Sequence, residues 1–188
     1  MIAYVPIPNN MVPDKRTIDS LLAQVEAVEM VECGDLRDKK DKQRYNDIGI
    51  GRINAMKKAI EIGDEFFVIN NSGALHKNDK GIEKCVLFLK NNLDFAGVSL
   101  PNKVPIKLEQ AHVKQECCVY RTSDINGIWN FIIWDAKTCE CVKIRNAIVR
   151  YKKKRFGYLE KTVSHISDIG CGFAKRILNG GQYQPIGI

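Results

Sequence analysis

The sequence lacks a run of apolar residues long enough to cross a membrane. Its longest apolar stretch near the middle, WNFIIW, is far shorter than the roughly 18 apolar residues that a spanning helix needs. The amino terminus, MIAYVPIPNN, carries two prolines, no basic segment and no apolar core, so we expect no signal peptide. These absences favour a cytoplasmic protein without a stable membrane span.

No Cys-x-x-Cys motif occurs, although cysteine is frequent. The adjacent pair and the pair one residue apart are poor spacings for a zinc site. We therefore expect reduced, mostly buried thiols, and a disulfide stays open if the source is a hyperthermophile. The seven cysteines lie at positions 33, 85, 117, 118, 139, 141 and 171.

The chain of 188 residues is long enough to bury a core, and we expect one domain. It carries a net charge of +7 and a pI of about 9.0. A basic excess favours anionic partners such as phosphates, nucleotides, nucleic acid or an acidic membrane surface. A solvated, lysine-rich surface explains the same charge without any partner.

The first hundred residues alternate between strand and helix patterns. We predict strands over 2–8, 28–33, 64–70 and 95–101, with helices over 16–24, 50–63 and 77–92 between them. Asp14 is the expected cap of the first helix, Gly63 closes the second, and the polar segment 34–51 is expected to be a flexible loop. This order predicts an α/β fold with a mostly parallel sheet and helices on both faces. Ligands of such sheets bind at the carboxyl ends of the strands.

The second half has a different pattern. Aromatic and β-branched segments at 112–122 and 128–135 flank Asn126-Gly127, which favours a hairpin. We predict a helix over 139–157 that ends at Gly157, a last strand over 158–165, and a glycine-rich, flexible tail over 167–188.

The third predicted strand ends in an unusual polar tip. Phe66 to Ile69 are apolar, and Asn70, Asn71 and Ser72 follow them directly. Such a tip suits contacts to ribose and phosphate. Asparagine and serine are also ordinary turn residues, so a plain turn is the alternative.

The order of these patterns resembles the GT-A fold, Rossmann-like transferases of nucleotide-diphospho-sugars, the family 2-like glycosyltransferases. The resemblance covers about residues 1–166. It rests on YVPIPNN, on GRINAMKKAIEIGDEFFVIN, on a late helix starting at CECVKIRNAIVRY, and on YLEKTVSHI, a strand that ends in histidine. The size suits a small viral or archaeal member, which for a virus implies the host cytoplasm. The resemblance implies a nucleotide-binding half over 1–100 and an acceptor half over 101–166.

The resemblance also implies roles for individual residues. Glu140 would be the base that deprotonates an acceptor hydroxyl, with Asp135 as the substitute. An acidic residue in a first helical turn and an arginine on a helix surface need no function, so each role has a structural alternative. The implied nucleotide-sugar contacts are Pro6, Asn9, Asp35, Arg52, Asn54, Asn70, Asn71 and Ser72.

The chain departs from the family at its metal motif. The family's Asp-x-Asp falls on Asn70, Asn71 and Ser72, whose neutral oxygens attract Mg²⁺ or Mn²⁺ less than carboxylates do. We expect such an ion to bind weakly, through Asn70, Ser72 and His165, or not at all. Basic side chains would otherwise hold the diphosphate, or catalysis has been lost. The rival function is therefore a non-catalytic protein that binds nucleotide or nucleic acid. The acceptor and the oligomeric state stay open.

Overall fold

The structure is a computed structural model. It describes residues 1–9, 11–35, 41–72, 74–76, 80–100, 117–126, 133–135, 140–142, 155–158, 163–164 and 183–185.

Four helices and eleven strands occur among the described residues. The helices are α1 (Lys15–Leu22), α2 (Asp41–Ile62), α3 (Gly81–Asn91) and α4 (Thr122–Asn126). The strands are β1 (Ile2–Asn9), β2 (Ala27–Asp35), β3 (Phe66–Asn70), β4 (Leu75–His76), β5 (Phe95–Leu100), β6 (Cys117–Arg121), β7 (Ile133–Asp135), β8 (Glu140–Val142), β9 (Arg155–Tyr158), β10 (Val163–Ser164) and β11 (Tyr183–Pro185).

Seven strands form the central sheet, in the order β11-β9-β5-β6-β3-β1-β2. Strand β6 is antiparallel to both of its neighbours, β3 and β5, and the other neighbouring pairs are parallel. The mostly parallel sheet expected from the alternating strand and helix patterns is thus confirmed. The remaining strands pair in twos, β4 with β10 and β7 with β8.

Helices cover both faces of this sheet, as expected. Ala3 and Val5 of β1 belong to a core that includes Leu21 of α1 and Ile82 of α3. Neighbouring residues of a strand point to opposite faces. Pro6 accordingly faces α2, where a Cβ on Gly51 would lie 3.3 Å from the Pro6 Cβ. The α1 and α3 helices therefore pack on one face and α2 on the other.

The predicted Asp14 cap of the first helix and the predicted Gly63 end of the second are confirmed, but α2 is longer than the sequence indicated. Asp14 caps α1, and its Oδ1 accepts a hydrogen bond of 2.9 Å from the Arg16 backbone N–H. Gly63 follows α2 with a φ of 79°, which glycine adopts without strain. The segment 34–51 was expected to be a loop, whereas α2 begins at Asp41. Lysine, glutamine and arginine are good helix formers, so a polar composition did not exclude a helix there.

Two predictions for the second half were wrong. Asn126 ends the short helix α4 and does not begin a hairpin. The helix expected over 139–157 is contradicted by two strands: β8 starts at Glu140, and Gly157 lies within β9, paired in parallel with β5. Short apolar patterns fit either a strand or a buried helix, and pairing with neighbouring strands decides between them. Within the strand expected over 158–165, Tyr158 belongs to β9 and β10 spans Val163–Ser164.

The predicted tail contributes a strand to the central sheet, because β11 pairs in parallel with β9. The glycine-rich composition around it gave no sign of this strand. The division into two halves and a tail stays a prediction. Among the described residues, no helix combines the length and the apolar character needed to cross a bilayer.

Candidate functional site

The ends of β1, β2 and β3 form one edge of the sheet, which we call the carboxyl edge. Asn9 and Asp35 are partners in the β1–β2 ladder, so they lie side by side at this edge. In the β1–β3 ladder, Tyr4 pairs with Ile69, which places Asn9 about four residues, roughly 13 Å, beyond the level of Asn70. The structure therefore places Asn9 and Asp35 together, on strands that project past the tip of β3. Pro6, buried in β1, lies closer to the level of Asn70.

Asn70 is fully buried, and its side chain closes a turn. Its Nδ2 donates to the backbone oxygens of Asn71 (3.0 Å) and Ala74 (3.2 Å). Its Oδ1 lies 3.1 Å from Nε2 of His76. The Ala74 backbone N–H donates to the Asn71 oxygen at 2.9 Å and completes the turn. In this structure the protein itself uses both ends of the Asn70 amide.

Asn71 points to the other face of the sheet and meets Arg52. The guanidinium Nη1 of Arg52 donates to Asn71 Oδ1 at 3.0 Å, and both residues are 4% exposed. The Tyr120 side chain, from β6, is also hydrogen-bonded to Arg52, and burial raises the pKa of Tyr120 well above its usual value. The α2 helix thus brings a buried cation to the tip of β3, where the sequence predicted it.

Ser72 is half-buried and is held through its backbone. The hydroxyl of Thr17, in the first half of α1, donates to the Ser72 oxygen at 3.2 Å. Thr17 is fully buried. Sequence reasoning did not single out Thr17, although its position after the Asp14 cap places it in the first turn of a helix that leaves the carboxyl edge.

His76 is the second residue of the site that sequence reasoning missed. It lies in β4, six positions after Asn70, and pairs with Val163 of β10. Burial lowers its pKa from 6.5 to about 4, so the ring is neutral at pH 7. The Nδ1 atom is buried, and none of the described residues gives it a hydrogen-bond partner. A histidine close behind a polar strand tip was the available signal.

Asn54 lies apart from the tip. Two positions along a helix turn a side chain by about 200°, so Asn54 and Arg52 leave α2 on opposite sides. Asn54 lines a separate cleft of about 500 Å³ between β2 and α2, together with Met30, Val31, Glu32, Lys57, Lys58 and Glu61. The structure therefore does not bring Asn54 next to Arg52 and Asn71.

The two candidate catalytic carboxylates lie on neighbouring strands. Asp135 of β7 and Glu140 of β8 are partners in an antiparallel ladder. This pairing brings their backbones together, whichever of the two acts as base. His165 lies outside the described residues. The roles of all three stay predictions.

The described residues do not fit a carboxylate-held magnesium or manganese site at the strand tip. Within them, no group of three His, Cys, Asp or Glu side chains is placed to hold a metal ion. The tip offers amide and hydroxyl oxygens, and Asn70 Oδ1 already contacts His76 at 3.1 Å. The predicted ligand role of Asn70 would require that contact to open.

Comparisons with solved structures show which fold this is. TarS from S. aureus matches with a TM-score of 0.55 and 17% identity over 85% of this chain, which spans 35% of TarS. A glycosyltransferase involved in glycosylation of the PBCV-1 major capsid matches with a TM-score of 0.50 and 10% identity, over 85% of this chain and 80% of that one. Glucosyl-3-phosphoglycerate synthase from Mycobacterium tuberculosis, solved with Mn²⁺, UDP-glucose and phosphoglyceric acid, matches with a TM-score of 0.51 and 8% identity, over 95% and 77%.

These neighbours are GT-A glycosyltransferases, and the chain therefore has the GT-A fold. No protein-family model and no curated protein sequence matches the chain. At such low identity the likeness shows the fold and leaves the chemistry to be argued from the site.

Proposed function

We propose that this protein is a glycosyltransferase that moves a sugar from a nucleoside diphosphate to an acceptor hydroxyl. One observation carries the proposal: the buried guanidinium of Arg52 reaches the tip of β3, 3.0 Å from Asn71 Oδ1. This tip is where the GT-A pattern places its diphosphate-binding motif. A planar guanidinium suits phosphate because it donates two parallel hydrogen bonds.

The chemistry assigns a task to each part of the edge. Pro6, Asn9 and Asp35 would line the nucleoside, while Arg52, Asn71 and Ser72 would face the diphosphate. Glu140, or Asp135 beside it, would take the proton of the acceptor hydroxyl as its oxygen attacks the anomeric carbon. The bond from that carbon to the diphosphate breaks, and the nucleoside diphosphate leaves. A divalent ion, if held by Ser72 and His165, would neutralise the charge that develops on the diphosphate.

The first experiment is a calorimetric and thermal-shift screen against UDP, GDP, TDP, CDP and their sugars, with and without Mn²⁺. A ligand that binds the folded state raises the unfolding temperature according to its concentration over its dissociation constant. We expect one nucleotide to stabilise the protein clearly more than the others. A screen without any stabilising nucleotide would overturn the proposal.

Arg52→Met then tests the observation that carries the proposal. Hydrogen bonds to a charged group contribute about 1.5–3 kcal/mol, so we expect the nucleotide affinity to fall about 10- to 100-fold. Lys57→Met is the matched control, because Lys57 lies exposed on the same helix. Arg52→Lys, which keeps the charge and loses the planar fork, should give an intermediate loss. Equal affinities for the Arg52 and Lys57 variants would contradict a phosphate role for Arg52.

Glu140→Gln separates binding from catalysis. We expect nucleotide affinity to stay within about twofold while turnover falls by about two to four orders of magnitude, the usual contribution of a general base. Asp135→Asn is the companion variant, because Asp135 lies opposite Glu140 in the β7–β8 ladder. If turnover survives in Glu140→Gln and is lost in Asp135→Asn, the base is Asp135.

The closed turn around Asn70 favours a second candidate function, a non-catalytic binding protein. The GT-A motif carries charged ligands at this place, whereas the Asn70 amide is used by the protein itself. This second function predicts tight nucleotide binding and no release of free nucleoside diphosphate from any nucleotide sugar. It also predicts that neither Glu140→Gln nor Asp135→Asn changes the nucleotide affinity.

A further inference from the structure

Tyr120 belongs to a row of three aromatic rings on the sheet face that α2 covers. The row crosses β6, β3 and β1: the Phe67 ring stacks on the Tyr120 ring with their centres 5.3 Å apart, and it meets the Tyr4 ring edge-on at 6.3 Å. Each of the three residues is at most 1% exposed. A tyrosine side chain has only two rotatable bonds, so this packing fixes the position of the Tyr120 hydroxyl.

The Tyr120 hydroxyl connects this row to α2. The side chain is hydrogen-bonded to Arg52 of α2 and to Cys118, two positions earlier in β6. A guanidinium only donates hydrogen bonds, so the phenol oxygen is the acceptor for Arg52. Phenylalanine would fill the same place in the row, and the hydroxyl is therefore the group that joins the rings to the Arg52 side chain.

Two side chains thus hold the Arg52 guanidinium, and they lie at different depths in the sheet. At the tip of β3, Asn71 Oδ1 accepts from Nη1 at 3.0 Å. Tyr120 pairs with Phe67, three residues before Asn70, so its backbone lies roughly 10 Å below the tip. An arginine side chain has many rotamers, and fixing them before a ligand arrives reduces the entropy that is lost on binding.

We propose that Tyr120 is a positioning residue, which holds the Arg52 guanidinium at the carboxyl edge in the orientation that a diphosphate requires. Asn71 is the contact that a phosphate oxygen shares or replaces, because it lies at the tip. The phenol of Tyr120 stays in place behind the guanidinium. The benefit for a nucleoside diphosphate rests on the proposed function, whereas the fixed orientation of Arg52 does not.

Tyr4 offers a matched control, because it lies at the other end of the same row of rings. Burial, together with the nearby Glu29 and Asp64, raises its pKa to about 12. Asp64 precedes β3, at the end of that strand opposite Asn71. Tyr4→Phe and Tyr120→Phe therefore remove the same hydroxyl from the same kind of packing, whereas the hydrogen bond to Arg52 belongs to Tyr120.

Side-chain NMR tests the positioning without any ligand. In protein labelled with ¹⁵N-arginine, Arg52→Met assigns the Nε–H signal of Arg52. We expect Tyr120→Phe to shift this signal and to lower its order parameter, which reports motion on the ps–ns timescale. Tyr4→Phe should leave both unchanged. An Arg52 signal with the same shift and the same order parameter in Tyr120→Phe would overturn the proposal.

Calorimetry with inorganic diphosphate measures the consequence for binding. For the loss of one hydrogen bond we expect Tyr120→Phe to weaken binding about 3- to 10-fold, and Tyr4→Phe by less than about twofold. If Tyr120 acts through Arg52, adding Tyr120→Phe to Arg52→Met should cause no further loss. Equal losses in the wild-type and Arg52→Met backgrounds would show a general structural effect and overturn the proposal.

Failure here and failure of the proposed function are distinguishable. A protein that binds a nucleotide, but whose Arg52 signal and diphosphate affinity do not respond to Tyr120→Phe, keeps its proposed function and loses this inference. If neither inorganic diphosphate nor any nucleotide binds, the proposed function fails. The ligand-free spectra of Arg52 then decide whether Tyr120 fixes the guanidinium.

Discussion

A buried arginine lies beside each end of β3, Arg52 from α2 and Arg121 from β6, and the two differ in the groups that surround them. At the carboxyl edge, Arg52 meets Asn71, next to Asn70. At the opposite end, which we call the amino edge, Phe66 pairs with Arg121 in the β3–β6 ladder. Both arginines are almost completely buried, at 4% and 8% exposed.

Arg121 is surrounded by groups that bind structural arginines. Its Nη2 donates to the backbone oxygen of Leu89, in the last turn of α3, and lies 3.5 Å from that of Phe95, the first residue of β5. Its Nε lies 3.3 Å from Asp124 Oδ2, and its guanidinium lies 5.2 Å from the centre of the Phe66 ring. The last carbonyl groups of a helix lack donors within the helix, and Arg121 donates to one of them, the Leu89 oxygen of α3. The charge of Arg121 is paired with that of Asp124.

Arg52 contacts side chains that a ligand can displace or share. An amide oxygen and a phenol hold it at the carboxyl edge, where ligands of such sheets bind. Burial of an arginine therefore does not by itself mark a candidate site. The position on the sheet and the chemistry of the neighbours distinguish Arg52 from Arg121.

The largest effect is expected at the amino edge. Arg121→Met leaves the Asp124 carboxylate without its cation in a nearly buried position, so we expect the free energy of unfolding to fall by about 4 kcal/mol in urea titrations. The double variant Arg121→Met with Asp124→Asn should recover part of that loss. Nucleotide affinity of the folded fraction should not change. A stability loss below about 1 kcal/mol would show that Arg121 contributes no more than a surface residue.

Asn70→Asp should lower stability by about 3 kcal/mol at pH 7. A carboxylate cannot donate to the oxygens of Asn71 and Ala74, and it would face both of them. Repulsion and burial raise the pKa of the new carboxyl in the folded state, so stability falls as the pH rises above the unfolded value of about 4. Urea titrations at several pH values measure this slope.

Asn91→Asp is the matched control for that substitution. Asn91 is exposed at the end of α3, where a new charge should cost less than about 1 kcal/mol.

If Mn²⁺ restored the stability of Asn70→Asp with Ser72→Asp, the turn would be able to open into a site of the family's type.

Gly51→Ala should lower stability by about 2 kcal/mol and should also weaken nucleotide binding. A Cβ at this position would lie 2.6 Å from Cys33 Sγ and 3.0 Å from Cys33 Cβ, so α2 must shift away from the sheet. The shift moves Arg52, one residue further along α2, and so links stability to binding at this edge. Adding Cys33→Ala removes the sulfur and should restore part of both quantities. A neutral or stabilising Gly51→Ala would mean that α2 packs more loosely than in this structure.

The sequence predicted the sheet and the polar end of β3, because local residue patterns indicate both. Alternating strands and helices require a parallel sheet, and polar residues after Ile69 mark a strand end. Local patterns did not single out Arg121, because the backbone oxygens that it contacts, those of Leu89 and Phe95, lie on elements distant in the chain. For His76 the sequence offered only its place shortly after the strand tip, because its contact with Asn70 crosses a turn that the Asn70 hydrogen bonds define. The helix expected at Glu140 failed for a related reason, because pairing between β7 and β8 outweighs a local pattern that fits both structures.

Two buried threonines give the smallest and most direct form of the comparison. At the carboxyl edge, the Thr17 hydroxyl donates to the Ser72 oxygen at 3.2 Å, so Thr17→Val should cost about 1 kcal/mol. At the amino edge, Thr122 is 6% exposed, and its hydroxyl makes no hydrogen bond within the described residues. Thr122→Val should therefore be neutral or slightly stabilising, because it removes a buried polar group without a partner. Urea titrations of the two variants resolve this difference. Equal losses would mean that the hydroxyl of Thr17 does not hold α1 to the strand tip.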